Sequence, residues 1–331
     1  MHAVVTGATG FLGRRLVKSL CDDGCAVRIL VRPSSDVSQL RDELGPHWSR
    51  IDVRRLDLHD RDACRRQLES GDVVFHLSAG LTGSPSTLFL NTVIPTRALL
   101  SAAADAEIRR FVLVSSLGVY GTTRLRRGDT LTEDTPLETE PHLRDPYTFS
   151  KVVQEHVAQE ARDHHALPLI IVRPGVIFGP GRGVLSSRVG LQLGKLLIRM
   201  GGRQTVPYTY VDNCATAIRQ AGFADGIDGE AFNILDDNLP TASQLVRRLA
   251  LRKQKPRSLW VPGACIGPLS GLYEWYHRYS RGQLPGVITR YRSNALWKPL
   301  RYTNAKAKQK LNWQPPVSFD EAFDRSLNGK K

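Results

Sequence analysis

The first half of the chain alternates between short apolar runs and longer segments in which apolar positions recur at helical spacing. Several runs are continuously apolar and rich in Val, Ile and Leu, which is typical of strands covered on both faces. The intervening segments predict helices, including a long one over residues 86–106 and another after Tyr147. Six strands are predicted in this way, at HAVVTG, CAVRILVR, IDVRRLD, VVFHLSA, RFVLVSS and PLIIVRP.

This order predicts an α/β fold built on a doubly wound parallel Rossmann sheet, because parallel strands need helical crossovers. After Pro174 the elements become shorter. We predict a helix near residues 186–200, then a strand at TYVDN, a helix at CATAIRQAGF, a strand at AFNIL and a helix at ASQLVRRLA. The domains expected are a Rossmann domain over 1–175 and a smaller C-terminal α/β lobe over 176–331 that binds substrate. Segment 205–236 of that lobe returns to the first domain.

Composition narrows the class of protein. The 331 residues are 41% hydrophobic, and no apolar run reaches the roughly 18 residues of a membrane span. A strand pattern begins at MHAVVTG, which predicts no leader, and the five scattered cysteines include no CxxC pair. A reducing, cytoplasmic location and no metal site are expected. The net charge of +14 favours anionic ligands, but no nucleic-acid-binding motif accompanies it.

A glycine-rich segment, VVTGATGFLGRRL, joins the first strand to the first helix. Gly7, Gly10 and Gly13 allow a tight turn and a close approach of the backbone to a pyrophosphate. The start of the following helix offers free N–H groups and a positive dipole to the phosphates. The segment therefore predicts an NAD(P) site. Asp57, at the end of the third strand, is placed to meet the adenine amino group.

The end of the second strand indicates which dinucleotide binds. An acidic residue there usually holds the ribose 2′-hydroxyl of NAD. This chain has Arg32 at that place, followed by Ser34 and Ser35, and these groups suit a 2′-phosphate. Arg14 and Arg15, just past the third glycine, are further candidates for it. We therefore predict NADP, with NAD as the alternative.

The segment YTFSK supplies a candidate proton-transfer pair. Tyr147 and Lys151 are four residues apart, so they share one face of a helix. A phenol has an ordinary pKa near 10. A neighbouring ammonium favours the phenolate, so we predict that Lys151 lowers the pKa of Tyr147. An ordinary solvated helix edge is the alternative interpretation of such a pair.

These motifs occur in an order that resembles the extended short-chain dehydrogenase/reductase family, also called the NAD-dependent epimerase/dehydratase family. The resemblance rests on TGATGFLG, Asp57-Leu58, HLSAG, VLVSSLGVYG, Tyr147-xxx-Lys151 and RPGVIFGPG, and it extends over nearly the whole chain. It implies that Ser116 holds the substrate oxygen beside Tyr147, with Ser115 as the alternative register. It also implies a supporting role for Asn91.

The same resemblance implies the remaining site residues. The cofactor would contact Gly7, Thr9, Gly10, Phe11, Leu12, Gly13, Arg32, Asp57, Leu58, Leu77, Ser78, Ala79, Tyr147, Lys151, Pro174, Gly175 and Val176. The backbone of Pro174, Gly175 and Val176 would face the nicotinamide carboxamide. The substrate would contact Thr82, Ser116, Leu117 and Arg182. A homodimer through helices 86–106 and 147–164 is expected by the same analogy.

Departures from the family's motifs narrow the reaction. Leu117 and Gly118 stand where dehydratases carry an Asp-Glu pair, so elimination of water is not expected. Pro207 replaces a charge common in nucleotide-sugar enzymes, although Arg203 is close by. We predict an NAD(P)-dependent oxidoreductase that interconverts a secondary alcohol and a ketone of a hydrophobic or polycyclic substrate. The alternatives are a nucleotide-sugar epimerase that retains its cofactor and a non-catalytic relative that senses dinucleotides or binds nucleic acid.

An aromatic segment, LYEWYHRYSRGQLPGVITRY, lies in the second lobe and resembles the hydroxysteroid-dehydrogenase and ketone-reductase branch of the family. Ordinary packing within the lobe is the simpler interpretation of these aromatic residues. Contact with a membrane surface is the less favoured alternative.

Overall fold

A computed structural model describes residues 1–254, 256–280, 283 and 288–329. Its strands are β1 His2–Thr6, β2 Ala26–Val31, β3 Ile51–Arg55, β4 Val73–His76, β5 Arg110–Val114, β6 Thr130–Leu131, β7 Leu169–Pro174, β8 Val176–Phe178, β9 Gly190–Leu193, β10 Leu196–Met200, β11 Tyr208–Tyr210, β12 Ala231–Ile234, β13 Arg257–Val261 and β14 Arg301–Tyr302. Its helices are α1 Phe11–Asp22, α2 Ser38–Leu44, α3 Arg61–Arg65, α4 Pro85–Asp105, α5 Pro146–His165, α6 Val211–Phe223, α7 Ala242–Leu251, α8 Gly263–Tyr279, α9 Arg290–Trp297, α10 Ala305–Lys310 and α11 Phe319–Asn328.

Seven parallel strands form the main sheet, in the order β12-β7-β5-β4-β1-β2-β3. Alternate residues of one strand enter opposite cores: Ala3 and Val5 pack with α1 and α6, whereas Val4 packs with α4 and α5. Burial on both faces explains the continuous apolar runs. The predicted doubly wound parallel sheet is confirmed. Strand order reverses between β1 and β4, and cofactor clefts open at such a point.

The smaller lobe is built from short strands and the helices α7, α8, α9 and α11. Strand β12 lies outside this lobe, because it pairs with β7 at the edge of the main sheet. Strands β9, β10 and β13 form a separate three-stranded sheet. Ordinary aromatic packing holds part of the lobe together, with Phe178, Tyr208 and Phe319 in mutual ring contact.

The helix predicted near residues 186–200 is wrong. This segment is an antiparallel hairpin of β9 and β10. Gly194 adopts a positive φ of 55° in the two-residue turn, which a glycine tolerates without steric cost. Gly190 has no room for a side chain, because a Cβ there would lie 2.0 Å from the carbonyl oxygen of Ile198.

Candidate active site

The glycine-rich turn after β1 forms one wall of a cleft of about 510 Å³ at the carboxyl edge of the sheet. Gly7 has φ of 70°, and a Cβ on Gly13 would lie 2.0 Å from the carbonyl oxygen of Gly7. Helix α1 starts without a side-chain cap at Gly10, so its first N–H groups stay available to an anion. Thr9, Phe11 and Leu12 line the same wall.

The opposite wall comes from the ends of β3, β4 and β5. It contains the predicted cofactor residues Asp57, Leu58, Leu77, Ser78 and Ala79 and the predicted substrate residue Thr82, together with Asn91 and Ser115. Ser115 is buried at 4% exposure, and its hydroxyl has no hydrogen-bond partner among the described residues. A buried polar atom without a partner is costly, and it suits a site that a polar cofactor completes. The cradle and this orphan hydroxyl fit a dinucleotide.

Asp57 is fixed by its neighbour His59. Its Oδ1 accepts hydrogen bonds from the backbone N–H of His59, at 3.0 Å, and from the ring Nδ1, at 2.6 Å. These bonds lower the pKa of Asp57 below its ordinary value and raise the pKa of His59. His59 itself lines the cleft, which the sequence did not indicate.

At the end of β2, the exposed Arg32 and the half-buried Ser35 line the cleft. Arg55 anchors this loop, since its Nη1 donates to the carbonyl oxygens of Pro33, at 2.8 Å, and Ser35, at 2.9 Å. Arg14 and Arg15 are engaged elsewhere. Arg14 pairs with Glu43 at 3.0 Å, and Arg15 lies 3.5 Å from Asp212. Their expected help to a 2′-phosphate is therefore not seen.

Helix α5 brings Tyr147 and Lys151 to the cleft, starting at a cap in which Asp145 accepts from the N–H of Thr148. Ser116 is close enough to the Tyr147 hydroxyl to lower its pKa, whereas Ser115 lines the cleft together with Tyr147 and Lys151. Ser116 is itself fixed, because its Oγ accepts from the N–H of Gly118 at 3.1 Å. The structure thus brings the three predicted catalytic side chains together.

The pKa of Tyr147 moves opposite to the prediction. Burial of the ring raises the pKa above its ordinary value, and the hydrogen bond with Ser116 only partly offsets that rise. Lys151 does not provide the expected lowering, because its Nζ donates to the carbonyl oxygen of Val114, at 2.9 Å, and to Gln154 Oε1, at 2.8 Å. Burial lowers the pKa of Lys151 itself to about 8.

Lys151 ends a buried polar chain formed by Thr6, His76, Thr96, Gln154 and Lys151. Gln154 Nε2 donates to Thr96 Oγ1, at 2.8 Å, and Thr96 donates onward to the carbonyl oxygen of Thr92. Thr96 therefore accepts the Nε2–H of His76, at 2.8 Å, and the other ring nitrogen accepts the hydroxyl of Thr6, at 2.7 Å. With a neutral histidine, each side-chain nitrogen and hydroxyl of this chain has at least one hydrogen-bond partner.

Two features fit that neutral state. Burial, together with the smaller effect of the nearby Lys151, lowers the pKa of His76 to about 3. Thr6 Oγ1 also accepts the backbone N–H of Ser78, at 3.3 Å, in the wall of the cofactor cleft. The buried polar chain thus connects the base of Lys151 to the cofactor wall. Sequence reasoning missed Gln154, Thr96, His76 and Thr6, which come from four separate segments.

A second buried network lies behind α5. Arg173 and Glu155 form an ion pair at 2.7 Å with both side chains at 5% exposure or less. Arg173 also donates to the hydroxyl of Tyr120, at 2.8 Å, and that hydroxyl donates to Asn233 Oδ1, at 2.7 Å. This network holds α5 against β7 and β12, and thereby fixes the helix that carries Tyr147 and Lys151.

Several residues that were predicted to contact the cofactor or the substrate do not line the cleft. Leu117 is 2% exposed and packs with Val119 and Tyr120 in the core, so it cannot touch a substrate. Gly175 and Val176 use their N–H groups for Ile234 and Pro207, at 3.1 and 2.6 Å, which ties them to neighbouring strands. Of the residues that follow β7, the cleft lining contains Ile177 and the predicted Arg182, but not 174–176. Arg182 stacks over the ring of Phe11 at 5.5 Å.

Within residues 1–254, 256–280, 283 and 288–329, no group of three His, Cys, Asp or Glu is arranged to hold a metal ion. A search of the same residues finds no helix with the length and hydropathy needed to cross a bilayer.

Comparisons with known proteins agree with this geometry. Residues 3–234 match the model of the NAD dependent epimerase/dehydratase family. Cinnamoyl-CoA reductase 1 of Petunia hybrida is 32% identical over 53% of this chain and 54% of its own length. The chain therefore spans about half the length of that relative. A decarboxylating sterol-4-alpha-carboxylate 3-dehydrogenase of Candida albicans is 27% identical over 98% of this chain and 96% of its own length.

A solved structure gives the same architecture. UDP-glucuronic acid 4-epimerase from Bacillus cereus, in complex with a fluorinated UDP-sugar and NAD, superposes with a TM-score of 0.74 at 21% identity. The superposition covers 99% of this chain and 98% of that one. Since the family match covers well over half of the chain, the protein is an NAD(P)-dependent enzyme of the extended short-chain dehydrogenase/reductase type, and it belongs to the NAD-dependent epimerase/dehydratase family.

Proposed function

We propose that the protein is an NADP-preferring oxidoreductase that interconverts a ketone and a secondary alcohol on a hydrophobic, polycyclic substrate. The observation that carries this proposal is Tyr147 in the lining of the cofactor cleft, with Ser116 close enough to lower its pKa and Lys151 buried on the next turn of the same helix.

The chain's own groups account for proton movement. A tyrosine whose pKa is raised by burial is a neutral phenol at pH 7, so it is ready to donate its proton to a ketone oxygen. Ser116 holds that oxygen beside the phenol. In this direction the C=O bond becomes C–O–H with the proton from Tyr147, and the bound dinucleotide supplies the hydride to carbon. Ser116, which lowers the pKa of Tyr147, stabilises the phenolate that remains.

The choice of reaction follows from what stands beside Ser116. Leu117 is buried and Gly118 has no side chain, so neither can serve as the acid or base that water elimination requires. Pro207 is buried, its carbonyl accepts the N–H of Val176, and the side chain of Arg203 is exposed. These positions do not support recognition of a sugar nucleotide. The full-length similarity to a sterol dehydrogenase supports a hydrophobic substrate instead.

A substrate panel tests the reaction. We expect the protein to oxidise NADPH with 3-ketosteroids or to reduce NADP with 3-hydroxysteroids, followed by nicotinamide absorbance. Tyr147→Phe should lower kcat by roughly 10²–10⁴-fold, which is the usual range for loss of a positioned acid. Ser116→Ala should also lower kcat, whereas the matched variant Ser115→Ala should leave it closer to wild type. Interconversion of UDP-sugars without net NADPH turnover would establish the epimerase alternative.

Cofactor preference has its own test. Arg32 and Ser35 line the cleft, which supports a contact between Arg32 and a 2′-phosphate. Arg32→Ser should weaken NADPH binding by about 10–100-fold, the size expected for a charge-assisted hydrogen bond, and leave NADH binding nearly unchanged. Arg15→Ser is the control, because Arg15 is near Asp212 and does not line the cleft. Equal losses for NADPH and NADH would contradict the role given to Arg32.

A further inference from the structure

Helix α8 in the smaller lobe buries few residues and exposes most of its large apolar ones. The side that packs on the protein buries Ile266 and Ser270, and the hydroxyl of Ser270 bonds that of Ser293 at 2.6 Å. Gly271 lies against the guanidinium of Arg290, where a Cβ would come within 2.5 Å. A surface helix normally places such polar contacts outward and its apolar residues inward.

The outer face of α8 carries large apolar and aromatic side chains instead. We define it by Leu269, Leu272, Trp275, Tyr276 and Tyr279, whose exposures run from 47% to 73%. They recur at spacings of three and four residues, so they form one stripe along the helix. Trp275 and Tyr279 stack at 5.6 Å with an interplanar angle of 15°, which makes the stripe continuous at its C-terminal end. Contiguous exposed apolar surface of this kind marks a contact site.

The strand that precedes α8 also exposes large apolar side chains. Strand β13 leads directly into α8 through Pro262, and Leu259 and Trp260 on that strand are each 59% exposed. Trp260 keeps its indole N–H bonded to the carbonyl oxygen of Gly201, so its ring is held in place while remaining accessible. Two consecutive elements therefore expose tryptophan and leucine.

The chain segment that contains this face is strongly basic in sequence. Between residues 252 and 301 the only acidic residue is Glu274, and its carboxylate is already engaged by Arg278, at 2.8 Å. The same stretch contains ten basic residues: Arg252, Lys253, Lys255, Arg257, Arg278, Arg281, Arg290, Arg292, Lys298 and Arg301. Arg278 lies on α8 with 76% of its side chain exposed.

We propose that the outer face of α8 docks the protein on an anionic lipid surface. Exposed Leu, Trp and Tyr beside Arg and Lys is the composition of a helix that lies in a membrane interface, with the rings at headgroup depth. Basic residues next to such a helix are attracted by the negative surface potential of anionic lipids. A second copy of this chain fits less well, because self-association through the face would bring two strongly basic regions together.

The test is co-sedimentation of the full chain with vesicles. Phosphatidylglycerol/phosphatidylcholine vesicles should bind the protein, phosphatidylcholine vesicles should bind it at least about tenfold less, and high salt should weaken binding. The double variant Leu272→Glu/Trp275→Glu should lose about tenfold or more in partitioning. Leu90→Glu is the matched control, since Leu90 is 53% exposed but lies on α4 of the other domain. It should bind as wild type does.

The other outcomes overturn the proposal. Absence of binding to either vesicle would refute it, and so would equal binding to both. Unchanged binding by the double variant would mean that charge alone adsorbs the protein. Sedimentation velocity without vesicles tests whether the face instead joins two copies of the chain. That would be the conclusion if wild type formed an oligomer and did not bind vesicles, and if only the double variant lost the oligomer. NADPH binding by each variant confirms that the fold is intact, and it does not depend on the substrate proposed above.

Discussion

The catalytic edge of the main sheet buries polar side chains, whereas the outer face of α8 exposes apolar ones. At the catalytic edge, the polar side chains of Thr6, His76, Thr96, Gln154 and Lys151 are enclosed by protein and bonded to one another. On α8, leucine and aromatic rings face outward while a serine pair is buried.

The difference separates two kinds of function. Buried polar groups are expensive unless every one is paired, so a fully paired chain has few alternative arrangements and fixes its members in position. Proton transfer needs that precision. An exposed apolar stripe contributes little to folding, so its residues are explained by something that they meet outside the chain. Substitutions in each region test this comparison. We expect the larger effects on stability near the catalytic edge and the smallest on the outer face of α8.

The largest effect is expected at the ion pair behind α5. Glu155→Leu leaves the Arg173 guanidinium charged, buried and without its carboxylate. Unfolding free energy should fall by about 3–5 kcal/mol, the usual cost of breaking a buried pair from one side. The double variant Glu155→Leu/Arg173→Met removes both charges and should recover most of the loss. Urea denaturation measures both. A single variant within 1 kcal/mol of wild type would show that the pair is not buried as described.

Lys151 should make stability depend on pH. Its pKa is lowered from the ordinary 10.5 to about 8 by burial, so the unfolded chain binds more protons than the folded one between these values. Unfolding free energy relative to Lys151→Met should therefore rise with pH over that range, by about 3 kcal/mol in total. Below pH 8 the lysine is charged in both states, and the difference should be flat. Lys18→Met, at an exposed lysine, is the control and should show a much smaller change.

Gln154 is expected to act on catalysis by positioning Lys151. Gln154→Met keeps the volume but removes the acceptor of the ammonium and the donor to Thr96. Stability should fall by about 1–3 kcal/mol, the cost of leaving buried groups unpaired. Loss of an acceptor disfavours the charged lysine, so its pKa should fall further, and the basic limb of the pH–rate profile should move to lower pH. Gln39→Met, at an exposed residue of α2, should change neither the stability nor the pH–rate profile. An unchanged pH–rate profile would mean that Gln154 contributes only to packing.

The sequence predicted the features that depend on neighbouring residues. The glycine turn, Ser116 and the Tyr147–Lys151 spacing each lie within one short segment. The structure brings the glycine turn, Tyr147 and Lys151 to one cleft, with Ser116 next to Tyr147. The sheet was predictable because burial on both faces leaves a continuous apolar run. The direction of the Tyr147 pKa was not, because it depends on how much protein surrounds the ring and on where the lysine points.

Long-range contacts explain the other failures. The members of the buried polar chain that ends at Lys151 come from β1, β4, α4 and α5, so no local spacing connects them. Arg14 and Arg15 follow the glycine turn as expected, but acidic residues from α2 and α6 engage them. The helix predicted near 186–200 failed because Gly194 turns the chain back and alternating residues then fit two strands. The aromatic residues of α8 recur at helical spacing whether their face is buried or exposed. The sequence pattern therefore does not predict which face of α8 packs on the protein.

The smallest effect is expected on the outer face of α8. Leu272 is 61% exposed, so Leu272→Glu removes little buried apolar surface and leaves no polar group unpaired. Unfolding free energy should change by no more than about 0.5 kcal/mol, as for ordinary surface substitutions. The matched substitution on the buried side of the same helix, Ile266→Glu, buries a carboxylate and should cost several kcal/mol. A large loss for Leu272→Glu would mean that the stripe is covered within the folded protein, and the contrast between the two regions would no longer hold.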